Sequence, residues 1–414
     1  MVKVKKISPA FAGKSNVDHF YKIALIFLYI TTGVLFLIWT ALILIMLSDK
    51  GNIEKSDFLA FYTSGTFVKQ NLTKELYNLP LQAEKQNIIL GKKLEDPLVF
   101  RYLPHVSLFF YIFSGINFYK AFLFFLIINF FTIMLILNLI KKWFVNVTSL
   151  RIWFLLPFAY YPIALTMIKG QVSIILTLIL LLIYRFHQKR PFLSGALWSI
   201  FLIKPQFFIF GLPILYLISK SKKYFVGGVL LFCGIWMSIG IFLVGLNSLI
   251  NYPSYTLYKE GIIYESYNEW NTNLNLSTVL TPIINRTGGG LKQILSIEAA
   301  IYILLLMFIT RKINKIPFES QFIAFTIITL VMSFHSYPYD YALVLLPLVI
   351  ILNMAIKNKN PGNIFLLMLM IILPNTLIKN STFASVLIMF IIGLSYIFVS
   401  THKSNLKTTP LNVK

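Results

Sequence analysis

Long apolar runs recur along this 414-residue chain from Tyr21 to Ser400, and short links rich in Lys and Arg separate them. No other feature limits the fold so tightly. About 20 consecutive apolar residues is the length of a bilayer-crossing helix, and hydrocarbon admits only backbone whose N–H and C=O groups are paired internally. The runs show no strand-like alternation, so the expected class is an all-α polytopic membrane protein. Charged residues make up only 12% of the chain, against roughly 25% in soluble domains, which fits that class. The first run, Tyr21–Leu47, is far longer than a signal-peptide core and no A-x-A site follows it, so it is expected to remain as a span.

The pattern predicts about twelve transmembrane helices, near 21–47, 117–140, 152–168, 171–186, 191–203, 207–219, 224–246, 295–310, 319–334, 339–356, 363–378 and 383–400. Basic residues orient them. With the N-terminus cytoplasmic, the inner links hold 22 of the 37 Lys and Arg but only Asp18 and Glu319 among the acids, a net +20 against +3 outside. Both termini are therefore expected in the cytoplasm of a multi-pass cell-membrane protein. The overall charge of +23 is a topology signal and not a nucleic-acid one.

Residues 1–414 read as a single domain with two long outer loops, 48–116 and 247–294. The first is expected to contain two interfacial helices: one from Asp57 to about Gln70, with Phe58, Phe61, Tyr62, Gly65 and Val68 on one stripe, and one from Pro80 to Leu90 stopped by Gly91. Phe100–Gly115 is apolar enough for a short span. Counting it as one would invert every later link, so it is placed as an interfacial or re-entrant helix.

No P-loop, GxGxxG, G-x-S-x-G or D-x-D motif is present, and the lone Cys233 excludes an intramolecular disulfide. The chemistry must come from polar groups at the outer ends of the spans. Asp57 is either the N-cap of its helix or a general base held at the membrane face. Lys169-Gly170-Gln171 and Lys204-Pro205-Gln206 form outer turns, whose lysines either snorkel to the interface or meet a phosphate. Arg101 and Tyr102 are candidates for the same task. His335 in FHSYPYDYA is structural or catalytic, and Asp340 beside it reads as a helix-start carboxylate. Glu265, Glu269, Trp270, Asn271, Asn273 and Asn275 form a polar and aromatic group of the kind that binds sugars and also of the kind found in ordinary loops.

Taken in order, these elements resemble the C superfamily of membrane glycosyltransferases, and within it family 87, the bacterial polyprenyl-phosphomannose-dependent mannosyltransferases. The likeness rests on Asp57-Phe58, Tyr62 and Leu76-Tyr77-Asn78, then Phe100-Arg101-Tyr102-Leu103-Pro104. It continues through Gly170-Gln171, Arg190-Pro191, Gly195, Lys204-Pro205 and Asn275-Leu276-Ser277, with Lys169 where the family has asparagine. The resemblance implies Asp57 as catalytic base, with His335 as a second catalytic residue. It implies a polyprenyl-phosphate sugar as donor, inversion at the anomeric carbon, and a glycolipid or glycan acceptor on the outer face. Lys204, Arg101, Tyr102, Gln171, Lys169, Glu269 and Asn275 are then expected to bind substrate. No metal and no cofactor is expected, and membrane lipid is the expected surrounding partner.

Two other classes compete. A flippase for lipid-linked sugars should show charged or broken spans near the midplane and repeated halves, yet ionisable residues avoid the span centres here. A glycan polymerase or ligase would be expected to rely on arginines in its large outer loop, where residues 247–294 hold only Arg286.

Overall fold

A computed structural model describes residues 9–255, 273–286, 290–373 and 386–396, and among these the regular structure is entirely helical. The first helix, Pro9–Ser48, is forty residues long and reaches about 60 Å at 1.5 Å per residue. Among the described residues, five helices are long and apolar enough to cross a membrane: Asp18–Ser48, Phe118–Trp143, Lys222–Val244, Lys292–Lys315 and Pro338–Asn358. A sixth candidate is the pair Ile152–Ala159 and Tyr161–Lys169, bent by 51°. Pro162 explains the bend, since it has no N–H to give the preceding turn and its ring crowds that turn's carbonyl. The other apolar segments, Ser173–Phe186, Pro191–Ile203, Pro205–Ile218, Phe318–Met332, Pro361–Ile372 and Val386–Tyr396, are shorter. Length and composition thus yield five or six crossings where the hydrophobic pattern predicts about twelve.

Burial sorts these helices. Only 11% of the Asp18–Ser48 window and 17% of the Lys222–Val244 window is covered by protein, which leaves their apolar side chains for lipid. Phe318–Met332 and Pro338–Asn358 lie at the centre, the latter 83% buried. The turn joining these two central helices carries His335.

Residues 48–116 depart from the expected surface layer. The helix at Phe58–Lys69 forms as predicted, but nine of its twelve residues are buried, so it is largely enclosed by protein. Gly65 permits this: a Cβ there would stand 2.4 Å from the Phe110 carbonyl oxygen, so the backbone of the Val106–Tyr111 helix presses directly on it. Phe58 anchors the start of the helix among the rings of Phe113, Phe122 and Phe125, whose centroids lie 5.7, 5.7 and 5.1 Å away. The second helix runs Leu79–Leu90, capped by the Asn78 side chain and stopped by left-handed Gly91. Phe100–Gly115 forms an irregular stretch and the six-residue helix Val106–Tyr111, which at about 9 Å is too short to cross a bilayer.

The Leu79–Leu90 helix has a specific task. Its buried Gln82 and Gln86, one turn apart, satisfy backbone N–H groups of the irregular residues that follow: Gln82 Oε1 accepts from Phe100 N at 2.9 Å and Gln86 Oε1 from Leu98 N at 2.9 Å. Two tyrosines hold the next carbonyls. Tyr252 Oη donates to Arg101 O at 2.8 Å and Tyr77 Oη to Tyr102 O at 2.9 Å. The backbone of Arg101 and Tyr102 is therefore fixed from both sides.

Candidate functional site

Four chain segments meet where helices begin. Asp57 precedes Phe58–Lys69, Gln171 precedes Ser173–Phe186, Lys204 precedes Pro205–Ile218, and Asp340 sits in the first turn of Pro338–Val344. Helix starts carry unpaired N–H groups and the positive end of the peptide dipoles, so their convergence favours an anion.

Asp57 stands at the N-terminal boundary of its helix but makes no capping hydrogen bond. Its Oδ2 instead accepts from Gln171 Nε2 at 2.7 Å, and Gln171 Oε1 accepts from Tyr102 Oη at 3.1 Å. This chain of contacts fixes which end of the buried amide faces the carboxylate. Burial holds the Tyr102 phenol well above its ordinary pKa, with the Asp57 charge adding to the effect, so it remains a hydroxyl donor. The turn before Gln171 allows the approach. Gly170 has φ +62°, and a Cβ on it would lie 2.6 Å from the Phe58 Cβ.

Lys204 does not snorkel. It is 3% exposed and ion-paired to Asp340 Oδ1, with its ammonium 4.7 Å from the centre of the Tyr339 ring. Asp340 Oδ1 also accepts from Ser173 Oγ at 2.9 Å, and Oδ2 from Tyr337 N at 3.0 Å. Asp340 is therefore the helix-start carboxylate the sequence indicates, and in addition the counter-charge of Lys204. Arg101 Nη1 donates to Tyr337 Oη at 2.8 Å, which ties the stretch before Val106–Tyr111 to the same turn.

His335 packs edge-on against Tyr337 at 4.6 Å, and its carbonyl accepts from Gln206 Nε2 at 2.9 Å. Burial lowers its pKa to about 3, and the Arg101 and Lys204 charges push the same way. A neutral imidazole at working pH is a hydrogen-bonding group and a very weak base.

The remaining expectations divide. Lys169 ends the Tyr161–Lys169 helix, and its ammonium makes no ion pair or hydrogen bond among the described residues. Asn275 is fully buried, and its Oδ1 caps the Leu276–Arg286 helix by accepting from Thr278 N at 3.0 Å; its amide nitrogen has no partner among the described residues. Glu265, Glu269, Trp270 and Asn271 lie outside the described residues. Asp340, Ser173, Tyr337 and Tyr339 join the site unforeseen. The density of tyrosines around Asp340 in SYPYDYA was the available signal.

A family model, glycosyltransferase family 87, matches residues 100–334, more than half of the chain. The chain belongs to glycosyltransferase family 87. It is accordingly a membrane glycosyltransferase, and the likeness read from its motifs holds. Arg101, Tyr102, Gln171, Ser173 and Lys204 fall within the matched stretch, whereas Asp57, His335 and Asp340 flank it. No curated protein and no solved structure matches.

Proposed function

We propose that this family 87 glycosyltransferase moves a hexose, mannose by preference, from a polyprenyl-phosphate donor to an acceptor hydroxyl at the outer membrane face. The supporting observation is the Asp57 carboxylate, which caps nothing and meets the neutral Gln171 amide, among segments that bring Arg101 and Lys204 to the same site.

In this reading Asp57 takes the proton of the acceptor hydroxyl as that oxygen attacks C1 of the sugar. The C1–O bond to phosphate breaks on the opposite face, its electron pair leaves with polyprenyl phosphate, and the anomeric configuration inverts. Lys204 and Arg101 meet the charge that develops on the phosphate. Tyr102, Gln171, Asn275 and Lys169 line the approach of the sugars, and neutral His335 hydrogen-bonds a hydroxyl or phosphate oxygen. The scheme asks for no metal and no nucleotide, because the donor is already activated.

Twelve crossings with cytoplasmic termini and residues 48–116 outside belong to the same reading. Their support is the net +20 of the inner links against +3 of the outer ones. The acceptor is a glycolipid or glycan.

The test is to incubate the purified protein with labelled polyprenyl-phosphate hexoses and a crude envelope fraction. The expected result is consumption of one lipid-linked hexose and transfer of its label. Use of a nucleotide sugar in its place would overturn the donor assignment.

A further inference from the structure

Asp340 is 1% exposed, and both its oxygens are engaged: Oδ1 by Lys204 and Ser173, Oδ2 by Tyr337 N. A carboxylate present only to cap its helical turn would need the last contact alone. Nor does stability by itself explain the ion pair, since neutral residues of similar shape in place of a buried pair are often as stable. The pair does something geometric. It joins the start of Ser173–Phe186, the start of Pro205–Ile218 and the Pro338–Val344 turn at one atom, and it holds the Lys204 ammonium against the Tyr339 ring. Tyr102, one hydrogen bond from Gln171, lies within electrostatic reach of both Asp57 and Asp340, so the two carboxylates share one site.

We propose that Asp340 is a positioning residue for the transfer, clamping the Lys204 ammonium over Tyr339 so that it faces the donor phosphate. The proposal rests on the donor reading given above. It divides the two carboxylates by partner: Asp340 is committed to a cation, and Asp57, which meets an amide, is left for the acceptor proton. As the C1–O bond breaks, the phosphate gains one negative charge. An ammonium already fixed in place meets that charge without reorganising.

The groups facing Lys204 are Asp340 and Tyr339 from the Pro338–Val344 turn, and Phe207 from its own helix; Arg101 and Lys204 both act electrostatically on His335. Removing the Asp340 charge leaves Lys204 a buried cation with no counter-charge, which favours its neutral form. Rates are measured across the neutral and alkaline range with whichever of polyprenyl-phosphate mannose, glucose or galactose the wild-type protein consumes. Asp340→Asn keeps the shape and the contact to Tyr337 N. It is expected to raise donor KM about tenfold, equal to roughly 1.4 kcal/mol, and to add an alkaline limb in which kcat/KM falls as pH rises. Adding Lys204→Arg, whose guanidinium stays charged, should remove that limb.

A folded Asp340→Asn protein with unchanged donor KM and an unchanged pH profile would overturn the proposal. Should that variant not fold, the neutral pair Asp340→Asn with Lys204→Gln takes its place. It is expected to fold and to show the raised KM, and wild-type KM in it would overturn the proposal equally. Asp57→Asn, run in parallel, separates the two levels. If it abolishes transfer while Asp340→Asn changes nothing, only the positioning role fails. If it leaves transfer intact, Asp57 is not the base; if no lipid-linked hexose is consumed, the donor reading itself fails.

Discussion

Gln171 Nε2 donates to Asp57 Oδ2 at 2.7 Å, joining two residues 114 positions apart in sequence. That contact turns a residue at a helix boundary into a candidate base, because it shows where the carboxylate points. It also connects the rest of the site, since the other end of the same amide is held by Tyr102.

Asp57→Asn should be folded and almost inactive. The side chain makes no cap bond, so stability should change little. Loss of general-base help typically costs about 10²–10⁴ in rate. Turnover by labelled-donor transfer, with thermal unfolding in detergent alongside, checks both halves. A variant within about tenfold of wild type, well short of that loss, removes Asp57 from the mechanism.

Gly170→Ala should damage activity more than stability alone explains. Placing alanine at φ +62° costs about 1–2 kcal/mol, and the new methyl would meet Phe58 Cβ at 2.6 Å. The Gln171 turn must then move away from Asp57. Gly91→Ala is the control: its φ is +68°, but a Cβ there meets nothing within 4 Å. It should lose only the stability that the φ costs and keep its kcat.

Tyr102→Phe removes the hydroxyl that fixes the Gln171 amide. A drop in kcat of about fivefold is expected, the equivalent of one neutral hydrogen bond of ~1 kcal/mol. The ring, 4.6 Å from Phe61, keeps its packing. Gln171→Glu, which would set a second carboxylate against Asp57, should be far more damaging. Equal activities in the two variants would deny the amide its orienting role.

His335 ties stability to acid. Its folded pKa of about 3 lies below the ordinary histidine value of 6.5. The unfolded chain therefore binds the proton first, and the contribution is complete above pH 6.5 and lost as pH falls towards 3. Denaturant midpoints should fall over that window, and less steeply in His335→Gln. For the same reason no rate limb near pH 6.5 should belong to His335, although His335→Ala is expected to lower turnover.

Membrane orientation has its own check. In a Cys233→Ala background, cysteine at exposed Lys74 should react with an impermeant reagent in whole cells, and cysteine at exposed Lys223 should not. The reverse pattern would put residues 48–116, and Asp57 with them, on the cytoplasmic side.

The sequence by itself determined what local chemistry controls. Apolar runs and basic links specify an all-helical membrane protein. Asn78, Pro80 and Gly91 set the ends of the Leu79–Leu90 helix because capping acts within a few residues. The order of short motifs pointed to family 87, which the family model matching residues 100–334 shows. Tertiary structure alone decided the rest. The hydrophobic pattern reads 152–168 as one unbroken span, whereas the folded chain bends there by 51°. The Phe58–Lys69 stripe has the pattern of a surface helix, packed through Gly65 and Phe58 on the Phe110 backbone and the Phe118–Trp143 helix, yet residues off the stripe such as Leu59, Ala60, Thr63 and Ser64 are buried as well. Lys204 shows the same limit most plainly. An isolated lysine at an outer turn has water within reach, and only the approach of Asp340, 136 residues away, makes a buried cation tolerable. Pairings at that separation leave no periodic trace in a single chain, because neither partner's neighbours in sequence need to change for the contact to form.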